Sequence, residues 1–375
     1  MAGIYVHIPF CRSRCIYCDF YSTTFEQHIG SYLAALHQEL QQRCSELPRA
    51  RVHSIYIGGG TPSLLSASQL QSLLTDIRRL YDVAADAEVT VEMNPDDVHT
   101  LLSRGVGEGL AVNRVSLGVQ TFDDQLLHFL RRRHDAATAV DAVKSLQAAG
   151  IGNISIDLIY GLPGQTMQTW EHDLEVALSL NVQHLSAYAL SYETGTALHR
   201  MLQSGQVREA DDELSVQMYQ RLCQRTEAAG FEHYEISNFA CPGFHSRHNS
   251  HYWTGEPYLG FGPGAHSYDG HRTRRANTPD LLQYLREPTC TEEHLTDGDL
   301  YDEAVMCGLR TRQGVDTIAI RTRFGESRLH YLLQAAAPHI AAHRLAWSAN
   351  RTHLHLTPSS LMVSDDVMSD LMAAE

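Results

Sequence analysis

Tyr5-Val-His-Ile-Pro-Phe-Cys11-Arg-Ser-Arg-Cys15-Ile-Tyr-Cys18 is the stretch of sequence that decides the fold. The apolar, β-branched run from Tyr5 to Ile8 predicts a short buried strand. Three cysteines with the spacing C-x3-C-x2-C follow it at once, and a tight loop with this spacing presents three thiolates to one compact metal centre. The chain therefore begins with a strand that leads directly into a candidate metal site.

The kind of metal follows from the number of ligands. A structural zinc site needs a fourth ligand, and the nearest candidates, His7 and Asp19, complete it poorly. An iron–sulfur cubane held by three thiolates keeps one iron free to bind something else. Cys11, Cys15 and Cys18 are therefore predicted to hold a 4Fe-4S cluster with one open iron. The five other cysteines are scattered and are interpreted as buried or idle thiols.

Five more short apolar runs follow the first, and helical patterns lie between them. The runs start at Ile55, Val89, Val115, Ile154 and Leu185, and the helical patterns include residues 29–43, 66–81 and 137–149. Such alternation predicts a parallel α/β sheet. The unusual residues all follow strand ends, where sheets of this kind build their sites. We therefore expect a partial (β/α)6 barrel.

The second half of the chain has a different pattern. A helix is predicted over residues 211–229, and a loop-rich stretch over residues 238–269. A strand pair around residues 343–357 and a terminal helix complete a small helical, winged-helix-like domain. The predicted division is a core barrel over residues 1–235, a joined segment over 236–276 and the C-terminal domain over 277–375.

Composition narrows the class of protein. The formal net charge is -15, and no run of Lys and Arg with interleaved aromatics is present, which argues against a nucleic-acid partner. No apolar window approaches the roughly 20 residues of a membrane helix, and the N-terminus lacks a signal-peptide pattern. The chain is therefore predicted to be cytoplasmic.

Polar residues at the predicted strand ends suggest a ligand pocket. Gly58-Gly59-Gly60 allows a ligand to touch bare peptide groups, or else forms a tight turn. Glu92, Gln120, Arg132 and Asp157 are surface or capping residues, or else they bind a ligand. A cation, two carboxylates and an amide suit a ligand with ammonium, carboxylate and ribose groups.

The cysteine spacing, with an aromatic residue before Cys18, resembles the radical S-adenosylmethionine (SAM) superfamily. Tyr5 to Cys11, Gly58 to Ser63, Val91 to Pro95, Arg114 to Gln120 and Asp157 to Thr166 are similar to its oxygen-independent coproporphyrinogen oxidase family. The resemblance implies that SAM binds the open iron. It also implies that SAM contacts Tyr5, Tyr17, Gly59, Gly60, Thr61, Glu92, Gln120, Arg132 and Asp157.

One departure is visible next to these contacts. Where the family reads Leu-Gly-Arg, this chain has Leu130-Arg131-Arg132. This difference affects the conformation expected for the local turn and the question of whether Arg131 or Arg132 binds the ligand.

Two branches of the family are distinguished by three features. The decarboxylase branch has a further cysteine where this chain has Phe20, and it has a longer N-terminal extension. His248-Asn249-Ser-His-Tyr252-Trp253 matches the H-N-x-x-Y-W motif of the haem chaperone branch, HemW. The resemblance implies a haem site at His248, Asn249, Tyr252 and Trp253.

The motif has two physical interpretations. A neutral imidazole can coordinate haem iron while the aromatic rings offer flat faces to a porphyrin. Alternatively, His248 and Trp253 pin a loop to the core. His245, His251 and His266 are close in sequence and are alternative ligands.

The expected function is a haem chaperone that binds haem, a 4Fe-4S cluster and SAM, and that transfers haem to an acceptor protein, respiratory or other. The alternative is a radical SAM enzyme acting on a tetrapyrrole, and no catalytic residue is assigned. Expected partners also include an unidentified electron donor, a peripheral membrane contact without a transmembrane segment, and a second copy of the chain in a haem-induced homodimer.

Overall fold

The computed structural model describes residues 1–47, 50–103 and 111–373. Its centre consists of six strands that pair in parallel and in sequence order. They are β1 (Ala2–Ile8), β2 (Val52–Gly59), β3 (Val83–Met93), β4 (Arg114–Gln120), β5 (Ile154–Tyr160) and β6 (His184–Ala189). All six predicted strands are therefore present.

Helices alternate with these strands and follow the last of them. They are α1 (Ile29–Gln42), α2 (Ala67–Leu80), α3 (Val98–Leu102), α4 (Asp124–Phe129), α5 (Ala136–Ala148), α6 (Met167–Ser179), α7 (Ala197–Gln203) and α8 (Asp212–Ala228). Short 3-10 helices lie at Glu26–His28, Pro62–Leu64 and Pro95–Asp97. Ile4, Val6 and Ile8 of β1 join the apolar core with these helices, as do Ile55 and Ile57 of β2.

The inner face of the six strands is polar. In β2 the apolar residues alternate with Ser54 and Tyr56, and in β4 Arg114 and Ser116 alternate with Val115 and Leu117. Inner-face residues from β2 through β6 line one cavity, so the sheet wraps around it. The fold is thus the predicted α/β arrangement, with a parallel sheet and a polar interior.

The region after α8 is more ordered than the sequence indicated. It contains β7 (Glu232–Glu235), β8 (Asn238–Ala240), α9 (Arg247–Thr254), β9 (Tyr258–Phe261), β10 (His266–Tyr268), β11 (Thr273–Asn277), α10 (Leu281–Arg286) and β12 (Cys290–His294). The expectation of a loop-rich stretch over residues 238–269 is wrong. These strands have three to five residues each, too few for alternation to be read from the sequence.

The added strands extend the sheet at both edges. The order of the twelve strands is β12-β11-β10-β9-β1-β2-β3-β4-β5-β6-β8-β7. β9 pairs in parallel with β1, and β8 pairs antiparallel with β6. The first and last of the six central strands are therefore both covered.

A second core lies at the C-terminal end of the chain. It is built from α11 (Asp297–Arg310), β13 (Val315–Asp316), α12 (Thr317–Ala341), β14 (Leu345–Trp347), β15 (His353–Leu356) and α13 (Ser364–Leu371), with a 3-10 helix at Pro358–Val363. Within α12, Gly325 has non-helical backbone angles and divides the helix into two segments at a kink. The predicted strand pair is β14–β15, joined by β13 in an antiparallel sheet.

The predicted domain boundaries stay a prediction. The pairing of β11 with β12 carries the large sheet on to His294. Within the three described ranges, no helix is long and apolar enough to cross a membrane.

Candidate functional site

The cavity enclosed by the sheet has a volume of about 480 Å³ and opens beside the cysteine loop. Cys11, Cys15 and Cys18 all line it. Thr61 donates a hydrogen bond to Cys11 Sγ at 3.5 Å, and Arg132 donates one to Cys15 Sγ at 3.3 Å. Two of the three sulfurs therefore already have donors of the kind that stabilise metal-bound thiolates.

Gly60 allows the backbone after β2 to approach this loop. A Cβ atom at Gly60 would lie 2.6 Å from the Phe10 carbonyl oxygen and 3.0 Å from Cys11 Sγ. Burial raises the pKa of the Cys11 thiol and raises that of Cys18 to about 11. Metal binding would therefore release protons from these two thiols.

The three thiols are not arranged as the ligands of one metal ion. Among the described residues, no group of three or more His, Cys, Asp or Glu side chains is arranged to hold one metal ion. In a cubane each thiolate binds its own iron, so the sulfurs stand farther apart than the ligands of one ion. The 4Fe-4S cluster therefore stays a prediction from the cysteine spacing.

Eight of the nine predicted SAM contacts line the cavity. They are Tyr17, Gly59, Gly60, Thr61, Glu92, Gln120, Arg132 and Asp157. The ninth, Tyr5, lies behind them, where it stacks on Tyr56 at 6.1 Å between ring centroids and bonds to His7. Gln120 has a φ of 72°, a conformation that a non-glycine residue adopts where surrounding structure enforces it.

Two buried carboxylates face the cavity. Glu92 accepts hydrogen bonds from the Tyr56 hydroxyl at 2.7 Å and from the Gly59 amide at 2.9 Å. Burial raises the pKa of Glu92 to about 7, and the nearby Asp157 carboxylate reinforces this. Burial also raises the pKa of Asp157. A bound cation such as an ammonium or sulfonium group would favour the ionised form of both.

Arg132, and not Arg131, is directed into the site. Its guanidinium donates to Asn94 Oδ1 at 2.7 Å and to the Gly118 carbonyl at 2.6 Å, besides Cys15. Arg131 is exposed. The structure thus places the second arginine of the pair next to the cysteine loop.

The H-N-x-x-Y-W motif forms helix α9, which packs against β1 and β2. Only Asn249 of its four predicted haem residues lines the cavity. His248 is 1% exposed, and its Nδ1 lies 2.9 Å from Ser54 Oγ and its Nε2 3.0 Å from the Tyr252 hydroxyl. Burial, with His251 and Arg114 nearby, lowers the pKa of His248 to about 3. The ring is therefore neutral, but both its nitrogens have partners.

The other motif residues and histidines lie in separate places. The Arg310 guanidinium lies 4.6 Å from the centre of the Trp253 ring. His245 is paired with Glu232 at 2.7 Å, and His266 is exposed on β10. This arrangement suits the interpretation in which His248 and Trp253 pin α9 to the core, and the haem site stays a prediction.

Sequence reasoning missed several cavity residues: Tyr56, Asn94, Arg114, Ser116, Ser186 and Tyr188. Except for Asn94, each lies on the inner face of a strand. The signal was available, because polar residues alternate with apolar ones in β2 and β4. An alternating pattern in a parallel strand indicates a polar interior.

Comparison with known proteins supports this geometry. The model of the radical SAM superfamily matches residues 5–177. A Bacillus subtilis protein named heme chaperone HemW is 37% identical over 87% of this chain and 88% of its own length. A Synechocystis protein of the same name is 32% identical over 99% of this chain and 96% of its own.

A solved structure agrees in fold. Coproporphyrinogen III oxidase (HemN) from Escherichia coli superposes with a TM-score of 0.83 and 22% identity, covering 99% of this chain and 90% of that one. This likeness shows a shared fold. The cysteine loop, the cavity it opens onto and these relatives together show that the chain belongs to the HemW family of heme chaperones, within the radical SAM superfamily.

Proposed function

We propose that this protein is a cytoplasmic haem chaperone that binds haem, a 4Fe-4S cluster and SAM and passes haem to an acceptor protein. The observation that carries the proposal is the 37% identity to heme chaperone HemW over 87% of the chain. The H-N-x-x-Y-W sequence on α9 and the non-cysteine residue Phe20 support it. Phe20 is 61% exposed at the cavity, where no fourth thiol can add to the loop.

The cluster and SAM would be held by the residues around the cavity. Cys11, Cys15 and Cys18 would bind three irons, and the cluster would supply an electron to cleave SAM. Arg132 holds the cysteine loop to β4 through Cys15 and the Gly118 carbonyl. Glu92 and Asp157 would place negative charge beside the cationic ligand within the cavity.

If His248 is the haem ligand, α9 or its Tyr252 side chain must move before haem iron can reach the imidazole. The His248 ring is buried and bonded at both nitrogens, so iron can reach it only when α9 moves away from β2 or when the Tyr252 hydroxyl turns aside. Because Asn249 on the same helix lines the cavity, such a movement would also change the SAM pocket. This gives the cluster site a physical route to influence haem transfer.

A haem titration tests the proposal. Anaerobically purified protein should show a saturable Soret change, and His248→Ala should weaken it at least about tenfold, the loss expected for one metal ligand. His266→Ala is the control, because His266 is exposed on β10. Normal binding by His248→Ala would remove this residue as ligand, and His251→Ala would then identify the alternative. Absence of any saturable haem binding would overturn the function.

A second measurement addresses the cluster and the enzymatic alternative. Reconstituted protein should contain about four irons per chain, and the triple change Cys11→Ala, Cys15→Ala and Cys18→Ala should abolish them. Bound zinc in place of the four irons would contradict the cluster.

The enzymatic alternative is tested by incubating the protein with SAM, a reductant and coproporphyrinogen III. No decarboxylated product should form; its formation would show that the protein is a radical SAM enzyme instead.

A further inference from the structure

Arg114 is a charged residue buried on the floor of the cavity. It is the first residue of β4, is 1% exposed and lines the cavity together with Tyr56, Ser116 and Asn249. It precedes Gly118, whose carbonyl binds Arg132, by four residues, or about 13 Å along a strand. Arg114 therefore belongs to a deeper level of the cavity than the cysteine loop.

The guanidinium of Arg114 lacks the partners that its burial demands. Its Nε is buried and has no hydrogen-bond partner. Across the described ranges, no carboxylate oxygen lies within 4.0 Å of it. Arginine stays charged under all ordinary conditions, and an unpaired buried charge is costly. Because this donor belongs to a residue that lines the cavity, a group bound there can supply the missing acceptor.

The two nearest acidic groups do not supply that partner. Glu92 is already held by Tyr56 and Gly59, and Asp157 accepts weak bonds from Ser116 at 3.4 and 3.5 Å. Their negative charges lower the electrostatic cost of burying the Arg114 guanidinium, but neither carboxylate accepts a hydrogen bond from it. Arg132 also has an unpartnered Nε, but its two terminal nitrogens donate three hydrogen bonds.

We propose that Arg114 forms an anion subsite on the cavity floor, separate from the cysteine loop, which takes a carboxylate group of a bound small molecule. A guanidinium matches a carboxylate in a two-pronged geometry, and the hydroxyl groups of Tyr56 and Ser116 lie on the same cavity wall. The carboxylate is either a haem propionate or that of a free organic acid. The subsite does not depend on His248 being a haem ligand.

Acetate is the probe for the subsite itself. Titration of the full-length protein with sodium acetate, at ionic strength held constant with sodium chloride, should give saturable binding. Arg114→Met should weaken it more than about tenfold, the loss expected for a charge-assisted hydrogen bond pair. Arg131→Met removes an exposed arginine at the edge of the same cavity and should leave acetate affinity within about twofold.

Protohaem and its dimethyl ester distinguish a haem propionate from a free organic acid as the source of the bound carboxylate. If a propionate occupies the subsite, protohaem should bind at least about tenfold more tightly than its dimethyl ester, and Arg114→Met should remove that difference. If a free organic acid occupies it, protohaem and the ester should bind equally while acetate binding still requires Arg114. If neither acetate binding nor the preference for protohaem over its ester depends on Arg114 while haem still binds, the subsite is overturned and the chaperone function stays intact.

A measurement on unaltered protein guards against a misfolded variant. The Nε–Hε NMR signal of Arg114, identified by its absence in Arg114→Lys, should move as acetate is added and saturate at the same concentration as the binding curve. An unmoved signal, or acetate binding retained by Arg114→Met, would overturn the proposal.

Discussion

At the scale of single residues, Arg131 has a backbone conformation that suits glycine. Its φ is 59°, and its amide donates a hydrogen bond to the His128 carbonyl at 3.0 Å. A side chain in this left-handed region costs about 1–2 kcal/mol, and the turn comes directly before Arg132. Glycine would therefore adopt the same backbone turn without strain, whereas arginine adopts it at a cost in conformational energy.

Arg131→Gly should raise the free energy of unfolding by about 0.5–1 kcal/mol, because relief of the left-handed strain exceeds the added entropy of the unfolded chain. Urea denaturation measures this. Lys144→Gly on helix α5 is the control and should lower stability by about 1 kcal/mol. A loss of stability in Arg131→Gly would show that the side chain itself supports the turn.

His248 should make stability depend on pH. Its pKa is about 3 in the folded protein and about 6.5 when unfolded, so unfolding takes up a proton between these values. Its contribution is complete above pH 6.5 and is lost as the pH falls toward 3. The penalty of His248→Gln should therefore shrink by about 2 kcal/mol between pH 7 and pH 5.

Urea unfolding at the two pH values tests this expectation. Tyr252→Phe removes the hydroxyl that contacts His248 but keeps the imidazole, so its penalty should stay constant within about 0.5 kcal/mol. An equal penalty for His248→Gln at pH 7 and pH 5 would mean that the ring is not held neutral.

At the scale of elements, α9 is held at its N-terminus by a buried carboxylate. Glu88 on β3 accepts hydrogen bonds from the Arg247 and His248 amides, both at 3.2 Å. The Ser246 hydroxyl accepts a third, from Asn249. Negative charge at this end of a helix also interacts favourably with the helix dipole. Glu88 therefore fixes the element that carries the proposed haem residues.

Glu88→Gln should weaken that attachment by about 1 kcal/mol and speed haem uptake about fivefold, if haem reaches His248 through movement of α9. Stopped-flow Soret absorbance measures the rate. Ser66→Ala removes the capping box of α2, on the outer side of the sheet, and should cost similar stability without changing haem uptake. Slower uptake in Glu88→Gln would indicate that α9 binds haem in its present position.

At the scale of the whole molecule, a buried ion pair is one of those that join the large sheet to the C-terminal core. Arg310 on α11 contacts the buried Glu235 on β7 at 3.1 Å, and it also covers the Trp253 ring. Arg310→Met should lower stability by about 2 kcal/mol, because it leaves a buried carboxylate unpaired. Arg321→Met breaks the exposed pair with Glu326 and should cost less than about 1 kcal/mol. Equal costs in urea unfolding would mean that water reaches Glu235.

The sequence predicted the central sheet and most of the cavity because those signals are local. Six β-branched runs gave the six strands, and residues at their ends gave the cysteine loop, Glu92 and Gln120. Helix α9 was missed because His-Asn-Ser-His-Tyr-Trp has no apolar stripe. Arg114 and Tyr56 carry the local signal of alternation in β4 and β2, but only the register and curvature of the sheet show that they face the same cavity.

The pairing of β1 with β9 also has a consequence for synthesis on the ribosome. Gly3 pairs with Tyr258, so one edge of β1 stays unpaired while residues 4 to 257 are made. At about 5–20 residues per second this takes tens of seconds, during which an unpaired strand edge is open to association with other nascent chains. The cysteine loop follows β1 and is made long before β9, so its surroundings are complete only after β9 has been made. Loading of a metal centre in that loop must therefore follow translation or be protected during it.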